Sequence, residues 1–343
     1  MEKKTMLFGD HGVHPEQISY STYTLKAKAS LSARVVSQER RGALIRVETA
    51  HGIGYADVHP WEELGDLKLE DELHRLKTLP THLGRRSLGL AALDAEARGR
   101  KLSAFANLKI PHSHYLINDT EQISELFLEK IWQQGFRCLK FKVGRNLKAE
   151  IEKLTLYEKQ LSAFRLRLDF NSQLTLAAFL EFSSSISLPI QLSIEFIEDP
   201  MPLDVEQWQK AALSSDLSLA LDHVTETELV TLQEVEDLPI KWLVIKPAVQ
   251  NPRALAEWAD ERRLRFCVTS YLDHPVGQMG AALEAARLWQ EFPIAECGLT
   301  SHLSYEKNEF SESLQSDGPL LSAPQGTGIG FDDILARIDW KKL

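Results

Sequence analysis

Cysteine is scarce in this chain. The 343 residues hold three, Cys138, Cys267 and Cys297, an odd number, each in or beside a predicted strand. That pattern argues against a disulfide framework or a zinc site and leaves small buried hydrophobes of a reducing compartment. No stretch approaches the roughly 18 uninterrupted apolar residues of a membrane span. Residues 1–5 lead into no apolar run resembling a signal peptide. A cytoplasmic protein with no membrane partner is the expectation. Positive charge is short as well: 39 Lys and Arg face 49 Asp and Glu, a net charge of −10. That balance disfavours nucleic acid or an anionic membrane surface as the main partner. No Gly-rich phosphate loop follows any predicted strand, which disfavours a dinucleotide fold.

What is present describes an ordinary globular chain, 43% hydrophobic and 26% charged. Its length is too great for one usual core unless the fold is a large α/β barrel, and a barrel plus a smaller domain fits best. From Ile18 to Val58 the texture is β, with a turn at His51-Gly52-Ile53-Gly54. The polar stretch from Arg34 to Arg41 reads as an exposed loop. Helical patterns run from Glu62 to Leu102, so residues 1–104 are expected to form an α+β capping domain. Strands then alternate with amphipathic stretches, at about 112–117, 137–143, 166–170, 192–198, 217–221, 241–246, 265–269 and 294–298. Eight such units predict a (β/α)8-type barrel over 105–317. The turn-rich remainder, 318–343, is expected to return to the capping domain. His11 and His14 carry no pattern.

Leu139-Lys140-Phe141-Lys142-Val143 is the organising stretch. Alternation makes it a strand, and side chains at i and i+2 share a face, so Lys140 and Lys142 point together. Paired ammonium groups repel and ease each other's deprotonation, which a lysine acting as a base requires. Taken alone, Lys-x-Lys more often marks a solvated edge strand. The following strand ends change the balance, because catalytic groups in such barrels sit there. They carry Asp169 and Asn171, then Glu198 and Asp199, then Asp222, then Lys246, each 24 to 29 residues from the last. Three carboxylates converging on one rim would repel without cations. A hard divalent cation, Mg2+ with Mn2+ as a substitute, resolves this. On the fourth strand Glu195, Glu198 and Asp199 are equally placed by spacing.

In this order Lys-x-Lys, Asp-x-Asn, Glu-Asp-Pro, Leu-Asp and Ile-Lys-Pro resemble the enolase superfamily, on its muconate-lactonising branch. Within it, Leu166-Arg167-Leu168-Asp169, Phe196-Ile197-Glu198-Asp199-Pro200, Val244-Ile245-Lys246-Pro247 and Val268-Thr269-Ser270 look like the o-succinylbenzoate synthase family. The resemblance implies metal binding by Asp169, Glu198 and Asp222, Lys142 as base, Lys140 as its electrostatic neighbour and Lys246 opposite. It implies substrate contacts from Asn171, Thr269 and Ser270. The implied partner is a small-molecule carboxylate substrate, in a monomer or homo-oligomer. The implied reaction is dehydration of 2-succinyl-6-hydroxy-2,4-cyclohexadiene-1-carboxylate to 2-succinylbenzoate through an enediolate, a step of menaquinone biosynthesis. N-acylamino acid racemases and dipeptide epimerases are the alternative. Departures from the family phrases fall at Tyr55-Ala56-Asp57, at Asp222-His223 and at Tyr271, Asp273, His274 and Pro275. Arg34, Arg40 and Arg41 fall in the expected cap loop, where a solvated surface is the favoured reading and contact with a substrate carboxylate the alternative.

Overall fold

A computed structural model describes residues 18–31, 38–222, 232 and 239–343. His11, His14, Arg34 and His223 lie outside the described residues. The chain begins with an antiparallel sheet of β1 (Ile18–Lys26), β2 (Glu39–Thr49) and β3 (Gly52–Val58). Helices α1 (Leu69–Arg75) and α2 (His82–Gly99) follow. α2 lies directly on β3, and Gly54 permits it: a Cβ there would come within 1.8 Å of the Ala91 carbonyl oxygen. The far end of the chain returns to this sheet, with Lys341–Lys342 pairing against β1.

The reading of 34–41 as a loop needs correction at its C-terminal half. β2 starts at Glu39, and Arg40 and Arg41 pair with Leu25 and Thr24. Arg40 is buried, stacked on Trp61 and bonded to Glu63 and the Pro60 carbonyl. A guanidinium with those partners holds the cap together and does not wait for a ligand.

Seven parallel strands run in sequence order: β4 (Tyr115–Ile117), β5 (Cys138–Lys142), β6 (Arg165–Asp169), β7 (Ile194–Glu198), β8 (Leu219–Asp222), β9 (Trp242–Ile245) and β10 (Arg265–Val268). The expected eighth strand at 294–298 forms only isolated bridges, Ser113 to Cys297 and Thr269 to Gly298. Those bridges still close the ring, since Cys297 N bonds to His112 O and Gly298 N to Val268 O. Helices pack outside, and several open on a capping side chain. Ser124, Asn146, Thr175, Asp204 and Asn251 each accept a backbone N–H from the first turn.

The barrel interior is filled, not hollow. Arg167 is fully buried at its floor, over Phe196, with its Nε bonded to Glu195 at 2.7 Å and Nη1 to the Glu296 carbonyl. The three cysteines are buried thiols. Among the described residues no helix is long and apolar enough to cross a membrane.

Candidate active site at the barrel mouth

β-register brings the predicted residues together. Lys142 pairs across to Asp169, and Asp169 to Glu198, so three successive strands end level. Lys140 and Lys142 both point inward and are buried. Lys140 Nζ lies 2.6 and 2.7 Å from the two Glu198 oxygens and 2.9 Å from Asp169 Oδ2. Lys142 Nζ lies 2.6 Å from the same Asp169 oxygen. Across the mouth, Lys246 bonds to Asp222. Position separates the three fourth-strand acids: Glu195 faces Arg167 at the floor, Glu198 faces the lysines, and Asp199, which lines the cavity, accepts the Asp222 backbone N–H on Oδ1 at 3.0 Å.

This crowding separates the two neighbouring lysines. Burial opposes charge on both, but Asp169, Glu198 and Asp222 outweigh it at Lys140, whose pKa rises. At Lys142 burial prevails, helped by repulsion from Lys140, and the pKa falls. Burial alone would raise Asp169, yet Lys140 and Lys142 hold it well below the carboxylate range. Glu198 is pushed up to about 8 by burial and by Asp169. Burial and Asp222 raise Asp199.

Glu198 and Asp199 are short of positive charge even with three lysines beside the cluster. That is the condition a hard dication relieves, and the donors are all carboxylate oxygens, the class that Mg2+ takes. Among the described residues no three His, Cys, Asp or Glu side chains stand ready in ligating geometry, because ammonium groups lie against the acid oxygens. The donor set fits the ion.

Above the acids opens a cavity of about 390 Å³. Asn171, Thr269 and Ser270 line it, as do Trp61, Glu63 and Leu64 reaching over from the cap. Asn171 has a left-handed backbone, its N–H bonds to Asp169 Oδ1 at 3.0 Å, and its own Oδ1 is buried without a partner. The indole of Trp61 ties the cap to the barrel through the Tyr271 carbonyl, 2.8 Å away.

Family models match in two blocks. "O-succinylbenzoate synthase, N-terminal domain" covers residues 18–97, and "Enolase C-terminal domain-like" covers 123–333. An o-succinylbenzoate synthase of Bdellovibrio bacteriovorus is 35% identical over 332 residues, spanning 95% of this chain and 98% of that protein. The chain belongs to the o-succinylbenzoate synthase family of the enolase superfamily. It is therefore an enzyme, of that family's carbon–oxygen lyase class. Solved structures share the fold at lower identity. The N-succinyl Arg/Lys racemase of Bacillus cereus superposes with TM-score 0.78 at 18% identity, over 96% of this chain and 99% of that one. A dipeptide epimerase of Enterococcus faecalis, complexed with Mg and L-Leu-L-Tyr, gives 0.75 at 15% identity, over 93% and 99%.

A second polar cluster was not foreseen. Asp57, at the end of β3, and Asp273, beyond β10, meet where cap and barrel touch. A Cβ on Gly277 would lie 2.7 Å from one Asp57 oxygen and 2.6 Å from one Asp273 oxygen, so only glycine fits between them. Tyr23 donates to Asp57 at 2.5 Å and lies 2.8 Å from His59 Nδ1, and the His274 N–H donates to Asp57 at 3.0 Å. Asp273 Oδ1 is buried without a partner. Burial pushes Asp273 up to about 7, and burial with Asp273 raises Asp57 well above its usual value. Both acids fall where this chain departs from the family's phrases, which was the available signal. Nothing in either phrase says that the two departures touch.

Proposed function

We propose that this enzyme dehydrates 2-succinyl-6-hydroxy-2,4-cyclohexadiene-1-carboxylate to 2-succinylbenzoate, the o-succinylbenzoate synthase reaction of menaquinone biosynthesis. The observation that carries the reading is the geometry of the mouth, with Lys140 and Lys142 against Asp169 and Glu198 on one side and Lys246 against Asp222 on the other. Lys142 is depressed toward the neutral form a base needs, while Lys140 beside it stays charged. Asp169, Glu198 and Asp222 would hold Mg2+, which supplies stabilisation of negative charge building beside a carboxylate. Lys142 takes the proton from the ring carbon bearing that carboxylate. It then returns a proton to the departing hydroxyl, so one C–H and one C–O bond break, water leaves and the ring becomes aromatic. Lys246, raised by Asp222 against the pull of burial, remains cationic and faces the delocalised anion. Trp61, Glu63 and Leu64 cover the mouth and limit water.

An N-acylamino acid racemase or dipeptide epimerase is the second reading, favoured by lysines on opposite sides of one cavity. It is weakened at the 295–300 segment, where dipeptide epimerases typically carry aspartates for a substrate ammonium. Here the one acid, Glu296, bonds to Arg165 away from the cavity, whose wall is Gly298, Thr300 and Ser301. Purified protein with Mg2+ is expected to bleach the diene absorbance of the cyclohexadiene substrate. No bleaching, with epimerisation of Ala-Glu or an N-succinylamino acid instead, would transfer the function to the second reading.

A further inference from the structure

Beside the cavity runs a short chain of polar contacts whose direction can be worked out. Ser270 Oγ lies 2.8 Å from Ser301 Oγ, and Ser301 Oγ lies 3.0 Å from Gln278 Oε1. The same Oε1 is 2.8 Å from the backbone nitrogen of His302. A backbone N–H can only donate, so the Gln278 amide must present its oxygen there and not its nitrogen. An amide oxygen has no proton, so Ser301 supplies the one between them. That uses the single hydroxyl proton of Ser301, and the proton between Ser301 and Ser270 must come from Ser270. The polarity of the chain is thus set by a main-chain amide and runs outward to the cavity wall. Ser270, at that wall, has no proton left to give a ligand and offers only lone pairs. Its neighbour Thr269 differs, because Thr269 Oγ1 lines the same cavity, is buried and has no partner, so it remains able to donate.

We propose that Ser270 is a specificity-determining residue that accepts a hydrogen bond from a proton-bearing group of the substrate. That group is the ring hydroxyl lost in the reaction. The identity of the group rests on the dehydration proposed above; the polarity of Ser270 does not. A hydroxyl that gives its proton to Ser270 keeps its lone pairs free for the proton that Lys142 returns. When the C–O bond breaks, its electron pair stays on oxygen. Water then departs with its original proton and the one from Lys142. A carboxylate at Ser270 would instead set lone pair against lone pair. Ser270 therefore separates substrate from product, which keeps both carboxylates and the ketone but has lost the hydroxyl.

The experiment compares kcat/KM for the cyclohexadiene with the dissociation constant of 2-succinylbenzoate, in wild type, Ser270→Ala and Ser301→Ala. Leaving a buried donor unpaired costs about tenfold or more, so Ser270→Ala should lose that much kcat/KM while product affinity stays within about twofold. Ser301→Ala frees the Ser270 proton, so product affinity should hold or tighten and the preference for substrate over product should narrow. Parallel loss of substrate turnover and product affinity in Ser270→Ala would show that Ser270 donates to a carboxylate or ketone, and overturns the proposal. So would no loss of either, or a Ser301→Ala protein with an unchanged preference for substrate over product. If wild type leaves the diene untouched, the dehydration reading fails by itself. Ser270 is then read by calorimetric titration of an N-succinylamino acid against its N-methyl counterpart. Tighter binding of the N–H compound that vanishes in Ser270→Ala supports the proposal, and equal binding of the two overturns it.

Discussion

Two clusters of buried carboxylates lie in this molecule, and they solve the same electrostatic problem by different means. At the barrel mouth, Asp169, Glu198 and Asp222 are ringed by Lys140, Lys142 and Lys246, each close enough for an ion pair. At the seam between cap and barrel, Asp57 and Asp273 meet with no lysine or arginine among the described residues bonded to either. The groups facing that pair are Tyr23 from β1, His59 just after β3, His274 at the start of the helix Pro275–Leu288, and Tyr305. The pair Arg86 and Glu284, from α2 and that helix, lines the same small cavity but is satisfied mutually. Both histidines there are held in the neutral form by burial, His274 down to about 3. At the mouth lysines share the charge of the acids, although Glu198 and Asp199 are still raised; at the seam burial favours the protonated acids. Fixed opposite charges around a cavity can stabilise a developing anion. A protonated acid pair between domains can only hold them together, and only while the proton stays.

The comparison breaks most visibly through Lys142. Lys142→Ala should lower kcat by about 10⁴-fold or more, the upper end for a general base that also serves as acid. Asp57→Asn and Asp273→Asn, equally buried, should leave kcat within a few-fold. Steady-state rates on the cyclohexadiene decide it, and a comparable loss in the seam variants would mean that the seam belongs to the catalytic machinery. Lys246→Ala should retain deuterium exchange at the acidic carbon in D₂O if Lys142 is the base.

A smaller effect separates the clusters by ion. Mg2+ at 100 times its dissociation constant should stabilise the folded protein by about 2.7 kcal/mol, read as a rise in Tm. Asp169→Asn should abolish that rise. Asp273→Asn should keep it. Prior chelation should return the wild type to its metal-free Tm.

The smallest expected effect is the pH response of the seam. Asp273 is raised in the fold from near 4 to about 7, so the folded state binds its proton more tightly than the unfolded chain does. Stability from this group is complete below about pH 4 and is lost as pH rises through about 7. Each pH unit of displacement is worth about 1.4 kcal/mol, shared here with the adjacent Asp57. Between pH 5 and pH 8 the wild type should therefore lose up to a few kcal/mol that Asp273→Asn does not lose. Urea midpoints at the two pH values measure this. A steeper loss in the variant would place the shared proton elsewhere.

What could be read in advance follows from these differences. The gathering of Lys140, Lys142, Asp169, Asp222 and Lys246 at one rim was legible because a parallel barrel repeats one βα unit, and a repeat converts sequence spacing into a common rim; on the fourth strand spacing left Glu195, Glu198 and Asp199 open. The eighth strand was legible as a position but not as a strand, since 295–298 reaches only isolated bridges on either side. Arg40 was misplaced because a charged run reads as loop when its partners, Trp61 and Glu63, come from a later segment. The seam was not legible at all. His274 and Asp57 are 217 residues apart, and no local pattern links a cap strand to the start of a barrel helix.

By itself, then, the sequence determined the alternation of elements, the acids and lysines at strand ends, and hence the kind of chemistry, since these depend on periodicity and residue type. The tertiary structure alone decided how the two neighbouring lysines differ in surroundings, that Glu195 lies at the floor while Glu198 meets the lysines and Asp199 lines the cavity, and that Ser270, Ser301 and Gln278 form one chain of contacts. Those properties depend on distances between groups far apart in the chain. Coulomb energy, burial and proton sharing are functions of such distances, not of order along the backbone.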